Sequence, residues 1–221
     1  MRLNGFLFVQ SLPIRPGILT HSQRALDGTL LADSRVRAWL PDGTPSYDGG
    51  TLAPELAESW QVASDGMSCT FNLRKDATFH NGAPVTARDV KWSFDRAVKV
   101  GGFPTFQMSA GSLLNPEQFV VVDGHTFRID YVREDKILLF NVAVVVPFII
   151  NSELARKNAT EAGPWAMNWL RNNEAGGRAY RIESWKPGTE TVLVRFDAWK
   201  CGPLPKVRRI IALRFSIQGF S

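Results

Sequence analysis

The sequence predicts a mixed α/β fold (α+β), and three observations carry this prediction. Residues 69–73 alternate apolar and polar side chains, as expected for a strand with one buried face. Thr86 is a candidate helix cap, because Asp89 follows three residues later, where the helix dipole favours negative charge. Apolar residues 119–122 precede the turn 123–125, and apolar and polar side chains alternate at 127–131 after it, which is typical of a β-hairpin.

The strand and the capped helix belong to one unit between residues 51 and 100. A second short β-like run at 59–62 is separated from the strand by the turn 64–66, and the turn 80–82 precedes the helix. The buried strand face and the apolar helix face are formed by Cys69, Phe71 and Leu73 and by Val90, Phe94, Ala97 and Val98, respectively. Two strands and a helix joined by specific turns predict a compact unit.

This unit also carries a family resemblance. Residues 52–98 are LAPELAESWQVASDGMSCTFNLRKDATFHNGAPVTARDVKWSFDRAV. The order LA, ES, W, then D-G, then T-F-x-L-R, then F-x-x-G-x-P-V-T-A-x-D-V resembles the signature region of bacterial solute-binding proteins of family 5. Those proteins are the peptide- and nickel-type receptors of ABC importers.

Two later segments are similar to the same family. VVVDGHTFRI at 120–129 resembles its hairpin, which makes His125 a turn residue. Residues 173–188 resemble its second signature, G-T-G-P-Y-x-L/I-x-S-W-x-P-G, with Arg178 at the position of the second glycine. A side chain there is awkward if the loop needs a positive φ or a close backbone approach.

The resemblance implies a periplasmic-binding-protein-like fold of class II, cluster C type, present only in part. The small lobe would comprise residues 49–162, with residues 1–48 in the N-terminal part of the main lobe and 163–221 returning to it. Family members are usually more than twice as long, so a truncated member is expected. Polar residues and prolines interrupt the apolar patch after Met1, so we expect no complete secretory signal peptide there.

Further elements are expected outside the central unit. The predictions are a helix at Ser22–Ala32, a strand at Arg35–Leu40, a buried extended run at Val142–Ile150 followed by a helix from Asn151-Ser152-Glu153, a helix at Pro164–Asn172 with Trp165 and Trp169 on one face, and strands at Thr191–Phe196 and Val207–Phe215.

The candidate ligand-binding residues lie in a glycine-led aromatic segment, 101–108, which we predict to be a loop. Phe103, Phe106 and Gln107 are nominated because exposed aromatic residues on a loop suit packing onto a ligand. The resemblance adds that the corresponding loop of relatives approaches the ligand cleft. The alternative is that Phe103 and Phe106 cap the core of their own domain, and the sequence leaves both open.

The net charge and the two cysteines raise two further possibilities, nucleic-acid binding and a disulfide bridge. The formal net charge is +5, and residues 171–221 hold ten basic and four acidic residues, which suggests nucleic acid as an alternative partner. Alternation of these basic residues with apolar ones favours a solvated strand face instead. Cys69 is predicted to be a core residue, and a bridge to Cys201 stays open.

The sequence shows no constellation for catalysis, a cofactor or a metal. It lacks a nucleophile elbow and a phosphate loop, and none of its three histidines has a Cys or another His two to four residues away. The resemblance therefore implies a periplasmic receptor that is not an enzyme. Its partners would be a peptide or other small solute and an ABC permease in the inner membrane, without nucleic acid; the alternative is a small basic nucleic-acid-binding protein.

Overall fold

The structure, a computed structural model, describes residues 52–134, 139 and 148–213, together with the backbone of three short strands before them. These strands and the next one are Leu31–Ala32 (β1), Arg35–Trp39 (β2), Pro45–Asp48 (β3) and Ala53–Pro54 (β4). Strand β1 pairs with β4, and β2 pairs with β3, both antiparallel. The strand predicted at Arg35–Leu40 is thus confirmed up to Trp39. The helix predicted at Ser22–Ala32 is wrong at residues 31–32, because these form strand β1. Residues 22–30 lie outside the described part.

A four-stranded antiparallel sheet forms the centre of the N-terminal half. Its order is β5-β6-β8-β7, with strands at Ala57–Val62 (β5), Ser68–Leu73 (β6), Phe119–Val121 (β7) and Thr126–Asp130 (β8). The predicted alternation and the predicted hairpin are both confirmed, because Cys69, Phe71 and Leu73 are buried and β7 pairs with β8.

One helix, Ala87–Lys99 (α1), covers this sheet. Val90, Phe94, Ala97 and Val98 are all buried, which confirms the predicted apolar face. The Phe94 ring lies 5.1 Å from the Phe119 ring and 5.2 Å from the Phe127 ring, centroid to centroid. Tilted and edge-on aromatic contacts of this kind stabilise a core beyond the area that they bury.

Asp89 caps α1 and also holds a second helix. Its Oδ2 accepts hydrogen bonds from the backbone N–H of Thr86 (3.0 Å) and from the Thr86 hydroxyl (2.7 Å). Its Oδ1 accepts from the backbone N–H of Ser152 (2.9 Å) and from the Ser152 hydroxyl (2.7 Å). The predicted cap is confirmed, and the buried carboxylate joins two helix N-termini that lie 63 positions apart in the chain.

The second helix is Ser152–Lys157 (α3), and it begins where the polar cap predicted it. Asn151 Oδ1 accepts a hydrogen bond from the Leu154 N–H at 2.8 Å. Ile149 and Ile150 before it are buried, whereas residues 142–147 of the predicted extended run lie outside the described part. Between α1 and α3 the chain forms a further helix, Gly102–Ala110 (α2).

The predicted helix at Pro164–Asn172 is shorter than expected. Only Met167–Leu170 (α4) is helical, because Ala166 adopts a left-handed conformation (φ 52°, ψ 29°) that starts the helix late. Trp165 therefore precedes the helix and does not share a helical face with Trp169, which corrects that expectation.

A separate three-stranded sheet forms the C-terminal part. Its strands are Tyr180–Lys186 (β9), Glu190–Arg195 (β10) and Arg209–Leu213 (β11), antiparallel in the order β11-β10-β9. The strand predicted at Thr191–Phe196 is confirmed one residue earlier, and the strand predicted at Val207–Phe215 is confirmed over Arg209–Leu213, with residues 214–215 outside the described part. Across the described residues, no helix has the length and apolar character needed to cross a bilayer.

Both cysteines are free thiols, so the bridge left open by the sequence is not formed. Cys69 lies in the core as predicted, and burial raises its thiol pKa to about 11. Burial also raises the pKa of Cys201 to about 12, with a further contribution from the nearby Glu55 carboxylate. The two thiols stay protonated at neutral pH and act as small apolar groups.

We expect replacement of Asp89 by alanine to lower the free energy of unfolding by about 3 kcal/mol, because four donors lose their acceptor in a buried site. Urea unfolding followed by circular dichroism measures this. Asp95→Ala is the matched control, since Asp95 on the same helix makes a partly exposed ion pair with Lys91 at 3.0 Å and should cost less than about 1 kcal/mol. Equal losses in the two variants would contradict the role assigned to Asp89.

The Cys69 thiol makes stability sensitive to alkaline pH. Its folded pKa lies above the unfolded value of 9.0, so its contribution is complete below pH 9 and is lost as pH rises towards 11. We expect the stability difference between the protein and Cys69→Ala to shrink by roughly 2 kcal/mol from pH 8 to pH 11. Val121→Ala, which removes no titrating group, should show a difference that does not change with pH.

Candidate functional site

The segment nominated for ligand binding is a helix, which corrects the predicted loop. Gly101 and Gly102 have φ values of 80° and 66°, and these allow the chain to turn sharply between α1 and α2. Pro104 lies in the first turn of α2, where its missing N–H costs no helical hydrogen bond. Thr105 Oγ1 accepts from the Gly101 N–H at 2.9 Å and donates to Ala97 O at 3.1 Å, which fastens the start of α2 to α1.

Helix α2 presents an aromatic surface to solvent. Phe103 is 55% exposed and Phe106 70% exposed, while Met108 is only 2% exposed and anchors the helix in the core. The alternative that the two phenylalanines cap the core is therefore wrong. Gln107 is partly exposed beside them. Phe103 and Phe106 stand three residues apart on one helix, so their rings can contact the same apolar group.

A pocket of about 280 Å³ opens next to the start of this segment, and we call it the tryptophan pocket. It is lined by Val100, Asn158, Thr160, Ala162, Gly163, Pro164, Trp165, Ala166, Met167, Asn168 and Trp169. Its volume approaches the lower end of the range typical of small-molecule sites. The sequence signals that were available for it, two tryptophans beside Gly-Pro, were assigned to a regular helix.

Two residues of helix α1 hold one wall of the tryptophan pocket in place. The Trp165 ring packs on the buried Trp92 ring, with centroids 5.8 Å apart. Arg96 donates from Nε to Trp165 O (3.3 Å) and from Nη2 to Met167 Sδ (2.8 Å). The pocket wall is thus held by both an aromatic contact and hydrogen bonds from one arginine.

A polar junction joins the N-terminal sheet to the segment before β9. His80 Nδ1 pairs with the Glu174 carboxylate, and His80 Nε2 lies 2.8 Å from Arg178 O. The other Glu174 oxygen accepts from the Ile182 N–H at 2.7 Å, and the Phe196 ring meets the His80 ring edge-on at 4.9 Å. Both ring nitrogens lie opposite oxygen atoms of the segment 174–178, so the ring links residue 80 to that segment.

Arg178 strengthens this junction, whereas the sequence suggested that a side chain would be awkward there. Its φ is not positive, and Nη2 lies 3.0 Å from Oε2 of the buried Glu55. The close backbone approach falls one residue earlier, because a Cβ on Gly177 would lie 2.9 Å from Thr78 O. The glycine requirement is therefore met at 177, and Arg178 is free to pair with Glu55.

The remaining space at the junction is too small for a solute. A cavity of about 20 Å³, lined in part by His80, Asn151 and Glu174, has room for about one water molecule. Within the described ranges, no three His, Cys, Asp or Glu side chains converge as metal ligands. The tryptophan pocket, beside the start of α2, is a ligand-sized feature of the described chain.

Three comparisons relate the chain to known proteins. The sequence model of the bacterial extracellular solute-binding proteins, family 5, matches residues 51–215, about three quarters of the chain. A probable D,D-dipeptide-binding periplasmic protein of Escherichia coli is 31% identical over 140 residues, which is 63% of this chain and 26% of that protein. A peptide transport periplasmic protein of Salmonella typhimurium is 27% identical over 226 residues, 92% of this chain and 39% of that protein.

The fold is shared with solved receptors. The crystal structure of Haemophilus influenzae OppA in complex with RPPGFSPFR has a TM-score of 0.69 at 19% identity, covering 87% of this chain and 37% of that one. This likeness confirms the predicted periplasmic-binding-protein-like fold. The chain spans about a quarter to two fifths of the length of these relatives.

We expect Arg178→Gly, which restores the glycine of the family pattern, to lower the free energy of unfolding by about 2 kcal/mol, because the buried Glu55 carboxylate loses its ion pair with Arg178. Chemical denaturation of Arg178→Gly, Glu55→Gln and the double variant measures the coupling, which we expect to be about 1 kcal/mol. The same cycle on the exposed pair Arg209–Glu183 should give less than about 0.5 kcal/mol. A stabilised Arg178→Gly variant would contradict the role of this ion pair.

Proposed function

The chain belongs to the bacterial extracellular solute-binding proteins of family 5, and from this premise we propose that it is part of a periplasmic receptor that captures peptides for an ABC importer. The observation that carries the proposal is the match of the family to residues 51–215 together with the shared fold. Members of this family bind solutes, and we assign this chain no catalytic role.

We propose that residues 49–162 form the small lobe, and that residues 1–48 and 163–221 contribute to the main lobe. The separation of the four-stranded sheet from the sheet β9–β11 supports this division. The lobes would close over the solute by a hinge motion, and the closed form would dock on a permease in the inner membrane. Because the chain spans less than half of its relatives, much of the second wall of the cleft would come from sequence outside this chain.

Peptides are the proposed solute class. Two of the relatives are named for dipeptides or peptide transport, and the structure with the shared fold was determined with RPPGFSPFR. Other relatives are named or solved with heme or a nickel–histidine complex, so the family alone leaves the solute class open. A family that binds peptides does so mainly through main-chain hydrogen bonds, which gives loose side-chain selectivity.

We propose that Phe103, Phe106 and Gln107 contact the solute. Their exposure on a helix anchored by Met108 supports this role, because apolar side chains held at the surface by a rigid element are suited to binding. Gln107 would supply a hydrogen bond beside the two rings.

The alternative, a basic nucleic-acid-binding protein, draws on the positive charge after residue 170. Four of the ten basic residues there are paired: Arg178 with Glu55, Lys186 with Glu190, Arg195 with Asp197, and Arg209 with Glu183. Paired cations attract phosphates less strongly, so the geometry favours the receptor. A gel shift that weakens steeply with salt would favour the alternative.

The proposal is tested with a chimera in which residues 51–215 replace the matching segment of the Escherichia coli dipeptide-binding relative. Calorimetry with a mixed library of short peptides should show binding by the chimera, whereas the 221-residue chain alone should bind only weakly, because it spans less than half the length of these relatives. Phe103→Ser with Phe106→Ser in the chimera should weaken binding several-fold without lowering the melting temperature, since both rings are exposed.

Trp185→Ser is the control, because Trp185 is similarly exposed (42%) on β9. A folded chimera that binds no peptide would overturn the proposed function. Micromolar binding by the 221-residue chain alone would overturn the division into lobes, and an equal effect of the Trp185 variant would remove the role of the phenylalanines.

A further inference from the structure

We propose that the tryptophan pocket binds an uncharged aromatic ring that carries a hydrogen-bond donor on its edge, such as a phenol or an indole. The inference goes beyond the receptor function, because it concerns a pocket formed within this chain by Val100 and residues 158–169. It requires neither a second lobe nor a permease.

The charge of the pocket selects the ligand class. The eleven lining residues that the structure describes are uncharged at neutral pH, so a charged group entering the pocket would lose water without meeting an opposite charge on these side chains. The volume of about 280 Å³ accommodates a single or fused aromatic ring but not an extended oligomer.

The walls supply an aromatic contact of fixed geometry. Trp165 and Trp169 both line the pocket, and each is partly exposed. Trp165 is held by the Trp92 ring behind it and by the hydrogen bond from Arg96 to its carbonyl, so its orientation is set before a ligand arrives. Aromatic rings prefer offset or edge-on contacts with such a surface, and a preorganised indole loses little conformational entropy on binding.

The polar rim indicates where the ligand needs a donor. Asn158 Nδ2 donates to Leu154 O at 2.8 Å, which leaves Asn158 Oδ1 as an acceptor at the pocket. Within the described part of the chain, no protein donor is hydrogen-bonded to this oxygen. A phenol O–H or an indole N–H would satisfy it, whereas a purely hydrocarbon ring would leave it desolvated.

Backbone strain is a second, independent indication of a site. Ala166, one of the lining residues, is buried and lies in the left-handed region, which costs a residue with a Cβ about 1–2 kcal/mol. The surrounding turn maintains it: Thr160 and Gly163 exchange two backbone hydrogen bonds (3.3 and 3.0 Å), and Ala166 N–H donates to Gly163 O at 3.1 Å. This conformation places Trp165 before the helix that carries Trp169, so the two indoles reach the pocket from different local backbone structures. Strain retained in this way is characteristic of binding sites.

The test uses the indole N–H signals of the 221-residue chain in ¹⁵N–¹H correlation spectra, assigned with single Trp→Phe variants. Titration with p-cresol and with indole should shift the Trp165 and Trp169 signals saturably, with a Kd near or below about 1 mM, as expected for a ligand of this size in a preformed pocket. Trp185, exposed on β9, should not shift and serves as the internal control. Absence of saturation, or equal shifts at Trp185, would overturn the proposal.

Three further probes test the ligand class. Toluene lacks the donor and should bind several-fold more weakly than p-cresol. Benzoate adds a charge to the aromatic ring, and methyl glucoside replaces the ring with a sugar. Binding of benzoate or methyl glucoside as tightly as p-cresol would overturn the assignment to an uncharged aromatic ring.

Asn158→Leu keeps the size of the side chain and removes the acceptor. This variant should bind p-cresol at least about fivefold more weakly, a loss equivalent to one neutral hydrogen bond, and should bind toluene with unchanged affinity. Asn172→Leu, an exposed amide in the same region that does not line the pocket, should change neither. The melting temperatures of both variants establish that they fold, and a p-cresol affinity unaffected by Asn158→Leu would overturn the role of the donor.

Discussion

The buried carboxylate of Asp89 is the interaction on which the described fold depends most directly. It fixes the N-terminus of α1 through Thr86 and the N-terminus of α3 through Ser152, so the helix on the sheet and the helix before the tryptophan pocket share one anchor. A second bridge lies beside it, where the Ser93 hydroxyl donates to Asp89 O and accepts from the Ile150 N–H. Each buried polar group there has a partner, which is the condition under which a polar cluster stabilises and specifies a core.

From this anchor the structure extends in two directions. Towards the solvent, α1 carries Trp92 and Arg96, which set the wall of the tryptophan pocket. Towards the C-terminal sheet, the junction of His80, Glu174, Arg178 and Glu55 holds the chain before β9 against the N-terminal sheet. The candidate binding surfaces and the contact between the two sheets therefore depend on the same rigid unit, as expected for sites supported by secondary structure.

The sequence predicted the elements whose pattern is local. The alternation of Cys69, Phe71 and Leu73 and the apolar face of α1 reflect periodicities that the backbone imposes directly. The failures have a different origin. Gly101, Gly102 and Pro104 were interpreted as a loop, although two positive φ values followed by a proline in the first turn are also compatible with the start of a helix. The left-handed Ala166 has no composition signal, so the pocket that depends on it could not be predicted.

At the junction, the family pattern has a glycine at position 178, but the close backbone approach that requires a glycine lies at position 177. Gly177 brings its backbone so close to Thr78 and Phe79 that the two segments meet main chain to main chain, and the His80 N–H donates to Gly176 O at 2.9 Å across the same seam. Because this contact is made by backbone atoms, it does not depend on the identity of most surrounding side chains. Changes to neighbouring ion pairs such as Arg178–Glu55 therefore need not separate the two segments, as long as position 177 carries only hydrogen.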